Sequence, residues 1–322
     1  MKLIPLYVNN NTGEVFSQEE VELNDGRRKW KERKKMTLKV AKLMATYDKP
    51  RADKIEGCGT YLQFVKTPDC KKSLKNANFC RERMCPMCQW RRSIKLAVQA
   101  DKIYKALTER GYKHVFVTLT LKNCTGEELN KTVDHLVKSV QRWRRHKDID
   151  AVVRGAYRAL EITYNAKTRT YHPHIHALLT VDGNYFDKDN ENYITLDKLI
   201  STWKTAANLD YDPSVSIEAV KQKENQTITS ACAELCKYPA KTYEINSSKV
   251  LRYIDGALRG RRLIQWSGVA QDVRRQLELD DVEHGNLVNM DEQSVAGVPL
   301  EEVVYVWRYG FYVPLDIKKI EE

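Results

Sequence analysis

The chain has 322 residues, 42% hydrophobic and 30% charged, a globular composition long enough for a sizeable core and two domains. Its net charge of +11, from 54 basic and 43 acidic residues, favours nucleic acid or an anionic surface through counterion release. No apolar run reaches the roughly eighteen residues of a membrane helix, and Met1–Val8 is too short and too soon polar for a signal peptide, so a cytoplasmic protein without a membrane partner is expected.

Residues 1–25 include Asn9-Asn10-Asn11-Thr12-Gly13 and read as a loosely held arm. A basic block, Arg27 to Lys35, runs into a helix with apolar spacing at Met36, Val40, Leu43 and Met44. The block is either a solvated helix face or a surface lying on phosphates, with Lys29 and Arg33 as DNA-facing candidates. Residues 1–57 are read as this basic arm and helix.

Residues 58–110 form a cysteine-rich region leading into a helix. Cys85-Pro86-Met87-Cys88 is a knuckle that can hold one edge of a tetrahedral zinc site, with Cys80 five residues upstream and Cys58 beside a glycine. These four make a closed structural zinc set; Cys70, in a polar loop, competes for the fourth place. In a cytoplasmic chain the alternatives are a redox dithiol or unligated thiols. The nearby Arg91 and Arg92 favour thiolates and suit a DNA-facing knuckle. Trp90 to Ala106 reads as an amphipathic helix, ended at Gly111.

Residues 111–250 read as the core of an α+β fold. His114 to Leu121 is dense in β-branched residues and predicts a buried strand. Residues 126–147 return to helix. Arg158 to Tyr164 is a strand, Asn165 to Thr170 a hairpin connection, and Tyr171 to Leu179 the returning strand. A helix over 195–207, opened by Thr195, and a strand over 214–220 complete the order β, α, β, β, α, β. That order is the split βαβ pattern of an antiparallel sheet with helices on one face.

The returning strand carries His172-Pro173-His174-Ile175-His176, three of the seven histidines of the chain. Side chains at i, i+2 and i+4 share one face of a strand. Folding the hairpin back brings Glu161 near His174 and His176. Two imidazoles and one carboxylate leave open coordination positions, as catalytic metal sites do. A surface strand of titrating histidines is the bland alternative. Further on, Ala231 to Lys241 reads as a helix kinked at Pro239. Glu234 and Tyr238 share one face at i and i+4, and Tyr243 is a rival tyrosine.

Taken together, these elements resemble the replication initiators (Rep) of small rolling-circle plasmids, in the Gram-positive branch of the HUH endonucleases. The resemblance rests on Cys80 to Arg92, on Phe116-Val117-Thr118-Leu119-Thr120, on His172 to Leu178 and on Glu234 to Lys241. Leu258 to Gly268 is also similar to the family, and Arg261 and Arg262 join the DNA-facing candidates. The resemblance implies an HUH nuclease core with a cysteine-rich N-terminal region, and residues 251–322 are read as a C-terminal extension. Its last fifty residues carry no family motif.

The resemblance also implies roles. His174 and His176 match the metal-binding pair, Glu161 the acidic ligand, and His172 a supporting or alternative ligand. Tyr238 matches the nucleophile and Glu234 the carboxylate that activates water when replication ends. From its spacing, at i+3 from Tyr238, and not from the resemblance, Lys241 is read as assisting the phenolate or the phosphate. The expected cofactors are Mn²⁺ or Mg²⁺ in the active site and structural Zn²⁺. The expected partners are plasmid origin DNA, duplex and single-stranded at the nick, and a host helicase; a homodimer is carried as the candidate assembly. The rivals are an HUH relaxase or single-tyrosine transposase, a hydrolytic metallonuclease, and a zinc-containing DNA-binding regulator without catalysis.

Overall fold

Residues 6–17 form a hairpin rather than a loose arm. Strands β1 (Leu6–Asn9) and β2 (Val15–Ser17) pair with each other, and β1 also pairs with β12 (Ile317–Lys319), more than three hundred positions away. The structure, a computed structural model, describes residues 6–23, 29–66, 72–220, 244–288 and 301–319. Two compact units are distinguished, residues 1–91 with 284–322, and residues 92–283. Both mix helices with antiparallel sheets, so the fold class is α+β, as the sequence indicated.

In the first unit, α1 (Gln18–Val21) is followed by α2 (Trp30–Met44) and α3 (Lys49–Gly57). Strands β3 (Tyr61–Lys66) and β4 (Lys72–Ala77) join β10 (Glu301–Arg308) and β11 (Phe311–Pro314) in the order β11-β10-β3-β4. The last fifty residues thus complete a sheet begun by residues 61–77. The buried face of α2 is Trp30, Lys34, Thr37, Val40, Ala41 and Met44. Met36 and Leu43 sit at its margin, because two polar side chains hold central positions that an apolar spacing rule does not count.

The second unit holds the five-stranded sheet β8-β5-β7-β6-β9, antiparallel throughout. Its strands are β5 (Lys113–Thr120), β6 (Val153–Asn165), β7 (Thr170–Val181), β8 (Val215–Ala219) and β9 (Ile264–Gly268). Helix α5 (Gly126–Arg144) and the short α6 (Lys147–Asp150) connect β5 to β6, and α7 (Leu196–Ala207) connects β7 to β8. This is the β, α, β, β, α, β order. The Glu128 carboxylate starts α5 by accepting from the backbone N–H and hydroxyl of Thr125. Thr125 and Thr195 each precede the first turn of their helix, and the Thr195 hydroxyl accepts from Lys198 N.

Alternation along the strands separates two faces. On one, Tyr171 meets Tyr253 of α8 (Ser248–Leu258) at 6.0 Å between ring centroids. Helix α5 packs against α7 and α8 there: the Trp143 indole donates to Thr202 Oγ1, and Arg261 beyond α8 grips Asp134. On the other face, Tyr104 of α4 (Pro86–Glu109) stacks edge-on against His114 and donates to the Leu178 carbonyl. The crossover helices therefore share one face, and α4 covers part of the other. At Gly268, φ is +55° and a Cβ would stand 2.1 Å from the Arg154 carbonyl oxygen, so glycine lets β9 close onto β6 before α9 (Val269–Gln276).

Candidate active site and cysteine centre

The β6–β7 hairpin sets the histidine cluster. Asn165 Oδ1 accepts from Lys167 N and Thr168 N, and Arg169 takes the left-handed conformation that reverses the chain. The resulting register pairs Glu161 with His174 and Ala159 with His176. On the other side, β5 pairs Thr120 with His174 and Thr118 with His176. Directly paired residues share a face, so these side chains gather on one side of the two central strands.

Their donor atoms converge. Glu161 Oε2 is 3.5 Å from His174 Nε2 and 3.3 Å from His176 Nε2, and the two Nε2 atoms are 3.1 Å apart. The other nitrogen of each ring is already engaged. His174 Nδ1 lies 3.1 Å from the His172 carbonyl oxygen, and His176 Nδ1 lies 3.1 Å from Thr118 Oγ1. Those contacts orient both rings with Nε2 towards Glu161, where each Nε2 donates to the carboxylate when its ring is protonated and would face a metal ion when it is neutral. Burial alone would raise the Glu161 carboxyl. Hydrogen bonds and charge from His174 and His176 outweigh it and hold Glu161 well below the usual carboxylate range.

His172 stands beside this trio, its ring 5.1 Å from that of His174, with Nδ1 donating to Asn123 Oδ1 at 2.8 Å. Its donor atoms do not join the three-atom cluster. Burial, then the charges of His174 and His176, lower its pKa. Thr118 and Asn123 are contributors that the sequence reading did not single out. A signal existed for Thr118: Thr118 and Thr120, two residues apart on a β-branched strand, mark the face shared with His174 and His176. Glu161, Thr163, Glu244, Asn246 and Ser247 line a cavity of about 320 Å³ along β6. Glu234, Tyr238, Lys241 and Tyr243 lie outside the described residues.

The second cluster is in the first unit. Sγ atoms of Cys58, Cys80, Cys85 and Cys88 all lie within 4.8 Å of one another. Cys88 Sγ is 3.6 Å from Cys58 Sγ and 3.7 Å from Cys80 Sγ. Sulfurs around a tetrahedral zinc at about 2.3 Å stand about 3.8 Å apart, whereas a disulfide needs about 2.05 Å. The arrangement therefore fits a metal and not a bridged pair. Cys58 caps α3 and Gly59 follows at φ +64°, the tight turn that a ligand beside a glycine suggested. Burial alone would raise Cys85; hydrogen bonds from Cys58, Cys80 and Cys88 outweigh it and hold Cys85 well below the usual thiol range. Cys70 lies outside the described residues.

The basic candidates divide. Lys29 is exposed at the start of α2, and the Arg33 guanidinium lies 5.7 Å over the Trp90 ring. Arg262 is exposed. Arg91 is 3% exposed; it donates to the carbonyls of Leu287 and Val288 and lies over the rings of Trp30, Phe79 and Trp90. Arg92, also 3% exposed, donates to the Glu283 carbonyl. Arg261 grips Asp134 Oδ1 with two nitrogens at 3.1 and 2.6 Å. Among the described residues, no helix is long and apolar enough to cross a membrane.

An antiparallel α+β sheet presenting two histidines and a carboxylate, in a basic chain with a separate tetracysteine cluster, defines a protein with two candidate metal centres. The family model described as Replication protein matches residues 71–311. The chain is 32% identical over 286 residues to a "Protein rep" of Streptococcus pneumoniae serotype 2 (strain D39 / NCTC 7466), covering 87% of this chain and 89% of that protein. It is 36% identical over 291 residues to a "Protein rep" of Bacillus amyloliquefaciens, covering 83% and 85%. For a "Protein rep" of Lactiplantibacillus plantarum the identity is 32% over 298 residues, covering 88% and 93%. No solved structure matches the chain. The chain belongs to the replication-protein family, as its resemblance to plasmid Rep initiators implied.

Proposed function

We propose that this chain initiates rolling-circle replication of a plasmid by nicking one strand of its origin through a tyrosine. The observation that carries the reading is the convergence of Glu161, His174 and His176, in a chain of the replication-protein family, onto one face of the central strands. Glu161, His174 and His176 would hold a divalent ion, which would supply Lewis-acid polarisation of the scissile phosphate. A nitrogen-rich donor set favours Mn²⁺ over Mg²⁺. The S···S spacing of Cys58, Cys80, Cys85 and Cys88 supports structural Zn²⁺.

Tyr238 is the nucleophile. With a phenol pKa of about 10, only about one tyrosine in a thousand is ionised at pH 7, so it needs help from its surroundings. Its oxygen bonds to phosphorus, the bond from phosphorus to the 3′ oxygen breaks, and the phenolic proton is balanced by protonation of that oxygen. The products are a 5′-phosphotyrosyl ester and a 3′-OH primer. The ester keeps the energy of the phosphodiester, so the strand is rejoined without ATP. Lys241 stabilises the phenolate or the phosphate. Glu234 later takes a proton from the water that cuts the regenerated site. Chain reach supports the reading: Glu244 lines the same cavity as Glu161, and Tyr238 lies six residues upstream, a span of at most about 22 Å.

Lys29, Arg33 and Arg262 are the proposed DNA-facing residues, while Arg91, Arg92 and Arg261 are held by internal partners. A host helicase and a second copy of the chain are the proposed protein partners. The deciding experiment mixes the protein with supercoiled plasmid carrying its origin, with Mn²⁺ or EDTA, and sequences the peptide left on the 5′ end. An Mn²⁺-dependent adduct on Tyr238 is expected. Nicking with a free 5′ end means hydrolysis instead, and tight binding without nicking means a regulator.

A further inference from the structure

Lys34 is a fully buried lysine in the second turn of a helix whose sequence reads as either a solvated basic face or a surface lying on phosphates. Its ammonium donates to the carbonyls of Glu56 at 2.5 Å and Cys58 at 2.7 Å. It makes no ion pair with a carboxylate among the described residues. Burying an ammonium in that way is strongly unfavourable unless a counter-charge lies close. The candidate counter-charge is the cluster that begins at Cys58. Four thiolates around one divalent ion leave a double negative charge, and that charge also needs compensation in a buried site.

One helical turn on, Thr37 is also fully buried. Its hydroxyl donates to the Arg33 carbonyl and accepts from Met87 N at 3.2 Å. Met87 is inside the Cys85–Cys88 knuckle. Thus two neighbouring side chains of α2 hold the two halves of the cluster, Lys34 the Cys58 turn and Thr37 the knuckle. Trp30, one turn before Lys34, anchors the same helix face against Phe64, Phe79 and Trp90.

We infer that Lys34 is the built-in counter-ion of the cysteine centre and that, with Thr37, it ties the basic helix α2 to that centre. This rests on reading the four cysteines as a metal site. Metal binding and the placement of Lys29 and Arg33 on α2 are then coupled: the metalated centre holds the helix, and the helix ammonium holds the metal. Lys34 is a positioning residue, not a ligand. Its replacement acts on metal retention before it acts on anything else.

The test uses the full chain as wild type, Lys34→Met, Lys34→Arg and Thr37→Val. Bound zinc is measured by elemental analysis, and its release is timed with a chromophoric chelator. Wild type is expected to hold zinc on the cysteines. Lys34→Met, which keeps the length and loses the charge, is expected to release zinc on the order of tenfold to a hundredfold faster. Lys34→Arg retains part of the effect, and saturating zinc returns Lys34→Met to the wild-type protease-resistance pattern over residues 30–44. The inference is overturned if Lys34→Met keeps zinc with wild-type kinetics, or if zinc cannot restore its protease resistance. A wild-type chain that neither carries nor takes up zinc refutes the metal reading itself, and the inference with it.

Discussion

Thr118 Oγ1 and His176 Nδ1 stand 3.1 Å apart as a directly paired couple on β5 and β7. The contact fixes the orientation of the His176 ring and leaves Nε2 for the cluster. Thr118→Val keeps the shape of the side chain and removes the partner. Its Mn²⁺ affinity, read by titration calorimetry, is expected to fall about tenfold to a hundredfold, with little change in melting temperature. Unchanged affinity would show that the strand alone orients the ring.

Metal removal separates the centres. EDTA is expected to abolish nicking, and Mn²⁺ to restore it more effectively than Mg²⁺, because imidazole nitrogen suits the former better. Glu161→Gln should lower Mn²⁺ affinity while the cysteine centre keeps its zinc. Equal restoration by both ions would argue that the histidines do not bind the metal used.

Tyr238→Phe is expected to lose nicking and the covalent adduct altogether. Glu234→Ala is expected to nick normally but fail to terminate, leaving multimeric single strands on a gel. A Glu234→Ala protein that terminates normally would remove Glu234 from the mechanism.

His114 makes stability pH-dependent. The ring is buried between Thr108 and Thr180, and burial, then the Lys113 charge, lowers its pKa from 6.5 to about 4. Above pH 6.5 it is neutral both folded and unfolded, so it adds no pH dependence. As pH falls from 6.5 towards 4 the unfolded chain takes the proton and the folded one does not, so stability drops, by about 3 kcal/mol at pH 4. His172 acts in the same direction, and Glu161 adds its own loss only below its ordinary 4.5. Urea midpoints at pH 7, 5.5 and 4, with EDTA present, should fall in wild type and fall less in His114→Gln.

Adjacent arginines are expected to differ. Arg262 is exposed, so Arg262→Ala should reduce the salt slope of origin binding by about one and leave the melting temperature unchanged. Arg261 clamps Asp134 and the Ala257 carbonyl, so Arg261→Ala should lower the melting temperature. Filter binding at several salt concentrations and a thermal melt of each variant decide this.

The sequence by itself determined the periodic features. Alternation put His172, His174 and His176 on one strand face, the polar run Asn165–Thr170 gave the hairpin, and the Cys85–Cys88 spacing gave the knuckle; the α+β order of elements followed. These depend on neighbours within a few residues. Only the tertiary structure decided the rest, because long-range pairing and burial leave no local periodicity. It put residues 301–319 into sheets begun before residue 78. It buried Arg91 and Arg92, whose charge in sequence looks the same inside or out. It also turned Lys34, one basic residue in a basic block, inward onto the carbonyls of Glu56 and Cys58, where its buried charge needs compensation from what lies beside it.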